Sequence, residues 1–396
     1  MSLKTWMPFL VLILVLGLVF RASFPVLASM MILALLLVSH LWRKHALDKV
    51  SYLRHWHYTR AFPGERSPVV IEVENRKLLP LSWLQVIDPW GMAVAPEEET
   101  SLVLSPSQDK AFLTHLFSLR WYESTRRTYT ILFRKRGIYM VGPARLNSGD
   151  LFGIFQQVED QTQHEYLTVF PEIIPLPLLQ LETENPFGDR TARRRLSEDP
   201  NRVIGVRDYH PEDGFRKVHW PATARTGSLQ VKIYQPVSAQ VMAVCLNVAT
   251  LPHFWEGILP DVLEYLVKVA STVVYQGIQT GYAVGLVSNG HLAYSDRPFR
   301  VPPGRTQQHL ARLLQTLAAV TPLTSTPFEK YLIRAMAEVP FGATLVVISA
   351  IITPELCETL VRLLRYRPYL TLISVAQAPP PQIPRVRTLH LPMKPV

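Results

Sequence analysis

Two uncharged apolar runs near the start of the chain constrain its fold more than any other feature. Residues 7–20 and 26–42 contain no Asp, Glu, Lys or Arg, and a short connection with Arg21 and Pro25 separates them. Each run is close to the minimum of about 17 residues that an α-helix needs to cross a bilayer. Pro25 suits the first turn of a second helix, where its missing N–H costs no hydrogen bond. The sequence therefore predicts a transmembrane helical hairpin over residues 1–42.

The charges that flank the two runs predict the orientation of this hairpin. The short connection carries only Arg21, and the other basic side chains lie before the first run or after the second: Lys4, Arg43, Lys44, Lys49 and Arg54. Because positively charged flanks stay on the cytoplasmic side, both termini are expected in the cytoplasm, with residues 7–42 in the inner (plasma) membrane. A cleaved signal peptide is the alternative, but no small-x-small cleavage site follows the first run.

The distribution of charge favours a membrane over a nucleic acid as the partner. The chain has 41 Lys and Arg against 31 Asp and Glu, a net charge of +10. Residues 1–60 hold most of that excess, which anionic lipid headgroups would attract. No aromatic–basic repeat or zinc-ligand spacing accompanies the charge, so no nucleic-acid partner is expected. The two cysteines, Cys245 and Cys357, lie in apolar stretches and are expected to be buried thiols.

Short alternating segments predict an all-β domain after the apolar runs. A basic connector over residues 43–60 leads into residues 61–172, where apolar and polar side chains alternate with the period of two that a strand requires. The candidate strands are 69–75, 82–88, 101–105, 110–121, 128–134, 137–146 and 165–170. Strands of this length and spacing are typical of an antiparallel sandwich.

The composition changes twice more toward the C-terminus. Residues 173–237 form a charged segment with few long apolar runs, so this segment is not expected to build a core of its own. Residues 238–396 alternate apolar strands with helices, beginning with a buried strand at Val241. That alternation predicts an α/β domain with a doubly wound parallel sheet. The chain is therefore expected to be a multidomain protein.

The charged segment contains a long motif with fixed spacing. It reads Arg207-Asp-Tyr209-His-Pro211-Glu-Asp213-Gly-Phe-Arg216-Lys-Val-His219-Trp220, and Ala224-Arg225 follow. This motif resembles the signature of the domain of unknown function 58 family, roughly R-x-Y-x-P-G-D-x-x-R-x-I-x-W-x-x-x-A-R. A second landmark of the family resembles Arg136-Gly137-Ile-Tyr139 through Gly142-Pro143, followed by Gly149-Asp150-Leu151-Phe152-Gly153. Glu212 and Leu151 replace the usual glycine and proline of these two motifs.

The resemblance extends over essentially the whole chain and implies a fold, a partner and a missing metal. The C-terminal domain is expected to resemble the von Willebrand factor A fold, whose metal-binding members carry D-x-S-x-S after the first strand. Asn247 and Thr250 lie in the corresponding stretch, so the resemblance implies a degenerate position that holds no metal. Proteins of the family accompany MoxR-type AAA+ ATPases, and the resemblance implies such a partner here.

Two interpretations of the signature motif stand side by side. Arginine holds carboxylate or phosphate with two hydrogen bonds, so the motif is a candidate anion or partner site, comprising Arg207, Tyr209, Asp213, Arg216, His219, Trp220 and Arg225. The same residues suit an internal network of ion pairs and cation–π contacts. His219 is of the right type for a general base, but the sequence has no GxSxG motif and no Walker loop. We therefore assign no catalytic residue and no cofactor.

These observations favour a membrane-anchored scaffold or assembly protein over an enzyme. One alternative is a hydrolytic enzyme that uses Asp213 and His219, and it predicts that His219→Ala abolishes function without loss of fold. The scaffold interpretation predicts instead that substitution of Arg216 or Trp220 destabilises the protein. A second alternative is an envelope-binding module, which requires the opposite orientation in the membrane. The sequence does not specify an oligomeric state.

Overall fold

The computed structural model of the chain divides into two compact units, residues 1–171 and residues 172–396. The described residues are 3–97, 102–104, 109–151, 153–175, 197–211, 213–237, 241–253, 255–340, 343–365 and 370–393. Phe152, Glu212 and residues 176–196 lie outside this part of the chain, and so does the side chain of Arg216.

Two helices open the first unit, α1 (Leu3–Val19) and α2 (Ser23–Ala46). Within the part of the chain that the structure describes, α2 is the single helix long and apolar enough to cross a membrane. The apolar part of α1, Pro8–Val19, is shorter. Both apolar runs therefore form helices, and one of these helices has the length and hydropathy of a membrane span.

The rest of the first unit is built from short strands. They are β1 (Val50–Trp56), β2 (Arg60–Ala61), β3 (Arg66–Asn75), β4 (Leu81–Gly91), β5 (Leu102–Leu104), β6 (Lys110–Leu119), β7 (Ser124–Leu132), β8 (Gly137–Val141), β9 (Arg145–Gly149), β10 (Gln156–Asp160) and β11 (Glu165–Val169). The strand orders of the three sheets are β1-β3-β7, β10-β9-β4-β6-β5 and β2-β11-β8.

The core of this unit lies between sheets whose strands alternate buried and exposed residues. Val69, Ile71 and Val73 of β3 and Leu84 and Val86 of β4 are fully buried and belong to one hydrophobic cluster. Residues two apart on a strand share a face, so each strand buries one row of side chains against the other sheet. The sequence prediction of a β-rich region is confirmed.

The segment 43–60, predicted as a connector, belongs instead to ordered elements. It contains the last turn of α2 and strand β1, which pairs antiparallel with β3 from Val50 to Trp56. Tyr52 and Arg54 are the buried side chains of this strand, with 3% and 9% exposed. Because Arg54 occupies an inward position, the segment lacks the alternation of apolar and polar residues that indicates a strand. The sequence analysis therefore did not predict β1.

The second unit contains the remaining strands and helices. The strands are β12 (Ser197–Asp208), β13 (Gln230–Val237), β14 (Val241–Leu246), β15 (Ala283–Ser288), β16 (Gly290–Leu292), β17 (Phe299–Gly304), β18 (Val320–Thr324), β19 (Thr344–Ser349), β20 (Leu370–Ser374) and β21 (Arg387–His390). The helices are α3 (Trp220–Thr226), α4 (Pro260–Gln279), α5 (Gln307–Ala318), α6 (Phe328–Met336) and α7 (Pro354–Leu364).

A six-stranded sheet of order β17-β15-β14-β19-β20-β21 forms the centre of this unit. Five neighbouring strands of this sheet, β15, β14, β19, β20 and β21, are parallel to one another. The sixth strand, β17, pairs antiparallel with β15 at the edge of the sheet. Ala243 of β14 shares a hydrophobic cluster with Phe328 of α6. The preceding residue, Met242, points to the opposite face of the sheet and packs against Gly277 of α4. A Cβ atom added to Gly277 would lie 3.0 Å from the Cε atom of Met242. Helices therefore cover both faces of a parallel sheet, which is the predicted α/β architecture.

Strand β17 was not predicted from the sequence. It contains Pro302 and Pro303, and proline cannot donate a hydrogen bond to a neighbouring strand. The edge of the sheet tolerates these prolines, because one side of an edge strand needs no ladder partner.

Candidate functional site

The signature motif lies in a β-hairpin of the second unit. Strands β12 and β13 pair antiparallel, with Arg207 opposite Val231 and Asp208 opposite Gln230. Between them the chain forms a one-turn 3₁₀ helix at Phe215–Lys217 and then α3. Val218 and Val231 are buried, so a small apolar contact supports the tip of the hairpin. The local fold brings the ends of the motif together.

Arg207 and Asp213 form a two-pronged ion pair in this hairpin. The Nη1 atom of Arg207 lies 2.7 Å from Oδ2 of Asp213, and Nη2 lies 2.6 Å from Oδ1. The backbone N–H of His210 donates to the same carboxylate at 3.0 Å. The hydrogen bonds from Arg207 and then from His210 lower the pKa of Asp213 to about 2. This carboxylate stays ionised and engaged, so the pair holds the turn in one geometry.

His219 is the N-cap of α3. Its ring Nδ1 accepts a hydrogen bond from the backbone N–H of Ala222 at 3.0 Å. A neutral imidazole that accepts at Nδ1 carries its proton on Nε2, so Nε2 is a donor and not a base. Within the described part of the hairpin, no hydrogen bond or ion pair joins His219 to Asp213. The arrangement serves helix capping and does not assemble an acid–base pair.

The aromatic side chains of the motif lie on the surface. Trp220 is 64% exposed and Phe215 is 69% exposed. Tyr209 packs against Phe215 with ring centroids 5.8 Å apart. Arg225 is exposed in the last turn of α3, where a positive charge suits the helix dipole. The structure thus brings Arg207, Asp213 and the backbone of His210 together and leaves Trp220 facing solvent.

Comparison with known proteins places this hairpin in a family. Residues 205–392 match the model of the family described as "Protein of unknown function DUF58". The similarity covers this region of the chain, which we call the DUF58 domain after the matched model. The matched region begins within β12 and ends after β21, so it contains the signature hairpin and the whole six-stranded sheet.

One curated relative is similar to a larger part of the chain. The uncharacterized protein YeaD of Bacillus subtilis (strain 168) is 21% identical over 273 residues, which cover 69% of this chain. The match spans 63% of the length of YeaD.

Several solved structures are weakly similar to part of the chain. A type II cohesin domain from the cellulosome of Acetivibrio cellulolyticus is 12% identical with a TM-score of 0.21, over 30% of this chain and 95% of that one. A cohesin module from Clostridium perfringens is 10% identical with a TM-score of 0.22, over 30% and 96%. The sporulation control protein Spo0M of Bacillus subtilis is 12% identical with a TM-score of 0.18, over 31% and 49%. At such TM-scores these likenesses bear on neither fold nor function.

The DUF58 domain also places polar side chains at the carboxyl ends of its parallel strands. Asn247 follows β14, Asn289 follows β15 and Ser349 ends β19. In open α/β sheets this edge is where ligands bind, because the loops leave the strands there. This edge contains Asn247 and Thr250, the degenerate position at which the sequence analysis expected no metal.

These polar groups are satisfied by one another. The side-chain amide of Asn247 donates to the Ser349 hydroxyl at 3.0 Å, and its oxygen accepts from the Ala249 backbone at 3.1 Å. The Asn289 amide donates to the same Asn247 oxygen at 3.3 Å. Thr250 accepts from the Leu259 backbone at 2.7 Å and so orders the start of α4. Among the described residues, no group of three His, Cys, Asp or Glu side chains has the arrangement of a metal site.

The second landmark of the sequence borders a groove in the first unit. The groove has a volume of about 640 Å³, and its wall includes Trp90, Met92, Lys110, Tyr139 and Pro143. Tyr139 donates through its hydroxyl to the carbonyl oxygens of Lys135 and Arg136, which fixes the turn before β8. The Gly142 backbone donates to the carbonyl of Pro89 at 3.0 Å. The landmark is therefore a structural junction between β4 and β8.

Sequence reasoning missed a buried ion pair in the first unit, Asp88 with Arg54. Asp88 is fully buried and accepts from Arg54 at 2.6 and 2.8 Å, from the Tyr52 hydroxyl at 2.8 Å and from the Trp90 indole at 3.0 Å. The available signal was the inward position of Asp88 in the alternating strand β4. A carboxylate at an apolar position needs a buried cation as partner.

Proposed function

We propose that this chain is a membrane-anchored, non-enzymatic scaffold or assembly protein whose DUF58 domain binds another protein. The observation that carries the proposal is the signature hairpin, which exposes Phe215 and Trp220 beside a turn locked by Arg207 and Asp213. Large aromatic side chains are the residues that most often dominate the binding energy of protein interfaces. A rigid turn that presents them loses little conformational entropy on binding.

The chemistry of the motif supports binding over hydrolysis. Asp213 is held by Arg207 and by the backbone of His210, and the Nδ1 lone pair of His219 is used by α3. A hydrolytic site requires a base free to take a proton and within reach of a nucleophile. The polar edge of the parallel sheet is similarly committed, since Asn247 and Asn289 hold the loops that leave the strands.

Anchoring through the N-terminal helices completes the proposal. α2 has the length and hydropathy of a membrane span, and Arg43 and Lys44 lie in its last turn. The positive-inside rule then places the C-terminal end of α2, the strands of the first unit and the second unit on the cytoplasmic side of an inner membrane. We extend this to a two-span hairpin, in which α1 crosses as well and both termini are cytoplasmic.

The proposed partner is a MoxR-type AAA+ ATPase. This choice of partner is implied by the resemblance of the signature motif to the domain of unknown function 58 family. The same resemblance implies that the α/β domain is similar to a von Willebrand factor A domain that has lost its metal site. Three features of the DUF58 domain suit such a partner: the hairpin is exposed, preorganised and rich in aromatic surface. The proposal needs no metal, nucleotide or other cofactor in this chain.

The test is crosslinking in cells followed by purification and mass spectrometry of the detergent-solubilised chain. The Phe215→Ala/Trp220→Ala variant is compared with Trp255→Ala, because Trp255 is 70% exposed in the same unit and lies outside the hairpin. We expect an AAA+ ATPase with the wild type and with Trp255→Ala, and its loss with the double variant. Equal recovery from all three chains, or recovery of wall or lipid precursors without an ATPase, contradicts the proposal.

His219 separates the scaffold from the hydrolytic alternative. Asparagine is a good N-cap, so His219→Asn keeps the hydrogen bond to Ala222 while it removes the imidazole. The scaffold proposal predicts normal partner recovery and normal function in cells for this variant. A folded His219→Asn protein that recovers the partner but has lost its cellular function would instead favour an enzyme.

A further inference from the structure

Three loops of the first unit lie around the C-terminal end of α2. The turn between β3 and β4 carries Lys77, whose Nζ atom donates to the carbonyl oxygens of Ala46 at 2.6 Å and Asp48 at 2.8 Å. The turn between β6 and β7 lies beside it, since the Tyr122 backbone donates to the carbonyl of Lys77 at 3.3 Å. These contacts fix two sandwich loops at the level where the helix ends.

The loop between β9 and β10 contacts the same helix about one turn closer to its N-terminus, at His40 and Arg43. Phe155 stacks edge-on against His40 with ring centroids 6.1 Å apart. The guanidinium carbon of Arg43 lies 5.5 Å from the centre of the Phe155 ring. Asp150 closes the loop, because its carboxylate accepts from the Phe155 backbone at 2.6 Å. The loop is thus docked on the last two turns of α2.

Large apolar side chains point to solvent from all three loops. The exposed fractions are Leu78 73%, Trp121 62%, Tyr122 66%, Leu151 60% and Ile154 46%. We call these five residues the apolar rim. Five such side chains at one end of a soluble domain are a costly surface in water, and they mark an interaction site.

The position of the rim along α2 identifies what covers it. The apolar part of α2 ends at Trp42, where a bilayer crossed by this helix passes from hydrocarbon to headgroups. Phe155 contacts His40 and Arg43, so the loop with Leu151 and Ile154 lies at that boundary. Trp and Tyr are enriched at this depth, because their rings are apolar and their polar atoms reach water.

Charge around the rim agrees with a lipid surface. The exposed basic side chains at this end of the unit are Lys44, Lys49, Arg76 and Arg120, with Arg43 half-buried. The acidic side chains there are Asp48, Glu74, Glu123 and the buried Asp150, and the first two pair with His45 and Arg76. The positive balance is attracted to anionic headgroups.

We propose that the apolar rim rests on the lipid bilayer, with Leu151 and Ile154 at the hydrocarbon boundary and Trp121 and Tyr122 among the headgroups. The sandwich is then held against the membrane by its loops as well as by its helix. This inference rests on the proposed anchoring through α2, and the experiment therefore reports on the anchor separately.

The test uses the full chain in nanodiscs of phosphatidylcholine and phosphatidylglycerol. Cys245→Ala and Cys357→Ser remove the native thiols, and a single nitroxide label is placed at Leu151→Cys, Val103→Cys or Leu35→Cys. Val103 is the matched control, because it is 58% exposed in the same unit and pairs with Phe112, toward the opposite end of β6 from Trp121. Leu35 lies in the middle of α2 and reports whether the helix is inserted.

The measurement is the collision rate of each label with oxygen, which is enriched in lipid, and with a nickel chelate, which stays in water. We expect the label at 151 to collide with the chelate at least about tenfold less often than the label at 103, because charged solutes are excluded from hydrocarbon. If the label at 35 is in lipid and the labels at 103 and 151 behave alike, the rim proposal is overturned and the anchor stands. If the label at 35 collides freely with the chelate, the anchor itself fails and the rim proposal falls with it.

A pair of charge substitutions tests the same surface without a label. Leu151→Asp and Ile154→Asp put a carboxylate on exposed positions, so the fold is expected to tolerate them. Intrinsic tryptophan fluorescence is then measured with brominated lipids, which quench only at contact. We expect weaker quenching in the Leu151→Asp/Ile154→Asp chain than in Val103→Asp. Equal quenching in both chains contradicts contact of this loop with lipid.

Discussion

The side-chain nitrogen of Lys77 lies 2.6 Å from the carbonyl oxygen of Ala46, the last residue of α2. The carbonyl groups of a helix C-terminus have no partner within the helix, and a buried lysine from the sandwich supplies one here. Burial lowers the pKa of Lys77 to about 8, so its ammonium is held in a poorly hydrated position by these carbonyl groups. The end of the apolar helix is thereby joined to the turn between β3 and β4.

Lys77→Met is expected to lower the free energy of unfolding of the first unit. The substitution leaves two carbonyl oxygens without a donor, which costs about 1–3 kcal/mol when they are buried. The measurement is denaturant unfolding of the detergent-solubilised chain, followed by tryptophan fluorescence. Lys110→Met is the control, because Lys110 is exposed at the far end of the same sandwich. An unchanged midpoint for Lys77→Met contradicts the role of the lysine as a helix cap.

Asp88→Asn is expected to destabilise the sandwich by about 3–5 kcal/mol, because it removes the buried carboxylate that pairs with Arg54 and leaves the guanidinium only the longer, partly exposed contact with Glu165 at 3.3 Å. Arg54 is 9% exposed and Asp88 is fully buried. Replacement of both residues, as in Arg54→Met/Asp88→Leu, removes the uncompensated charge and is expected to be less harmful than Asp88→Asn alone. Thermal unfolding of the three chains measures this order. A double variant less stable than the single one means that the ion pair itself stabilises the fold.

His115 makes the stability of the first unit depend on pH. Its ring is 3% exposed, and burial, with a smaller effect of Arg127, lowers the pKa of His115 from 6.5 to about 4. Between these two values the unfolded chain binds the proton and the folded chain does not, so stability falls as the pH decreases from 6.5 to 4. The loss reaches at most about 3–4 kcal/mol, at about 1.4 kcal/mol for each pH unit between the two pKa values.

The measurement compares unfolding free energies at pH 7 and pH 4.5 in the wild type, in His115→Leu and in the exposed control His164→Leu. We expect the difference between the two pH values to shrink in His115→Leu alone. A His115→Leu chain with the wild-type pH dependence shows that other groups cause it.

Asn247→Asp is expected to destabilise the DUF58 domain, and Mg²⁺ is not expected to restore it. The new carboxylate cannot donate to Ser349, whose hydroxyl already donates to the carbonyl of Ile351 at 2.6 Å. Its charge would be 4% exposed and surrounded by amide and hydroxyl groups. Thermal unfolding with and without millimolar Mg²⁺ decides the matter. A rise in unfolding temperature with Mg²⁺, seen in Asn247→Asp and not in the wild type, would reveal a latent cation site.

Local patterns predicted much of the second unit. Helices α5 and α7 lie where the sequence predicted alternating strands and helices. They span residues 307–318 and 354–364, because Thr306 and Thr353 cap them and their apolar faces repeat with the period of a helix. The buried strand β14, predicted to begin at Val241, was equally clear, since a run of six apolar residues between turns leaves few other structures. Strand β1 was missed because its inward-facing positions include a charge.

The candidate site was predicted in its residues and not in its geometry. The spacing of the motif pointed to Arg207, Asp213 and Trp220, but it did not decide between an internal network and a binding surface. In the structure Arg207 and Asp213 form an ion pair and Trp220 is exposed. The motif therefore contains both an internal ion pair and an exposed aromatic surface. Which side chain faces solvent depends on where the hairpin turns, and that depends on contacts such as Tyr209 with Leu229.

The sequence by itself determined the apolar helices, the change from a period of two to alternating strands and helices, and the family motif of the C-terminal domain. These follow from residues that are neighbours along the chain, whose periodicity and capping act locally. Tertiary structure alone decided that Arg54 meets Asp88, that Lys77 reaches Ala46 and that three separate loops gather around one helix end. Those partners lie tens of residues apart, and only the packing of the whole sandwich, which buries apolar surface at the expense of chain entropy, selects them.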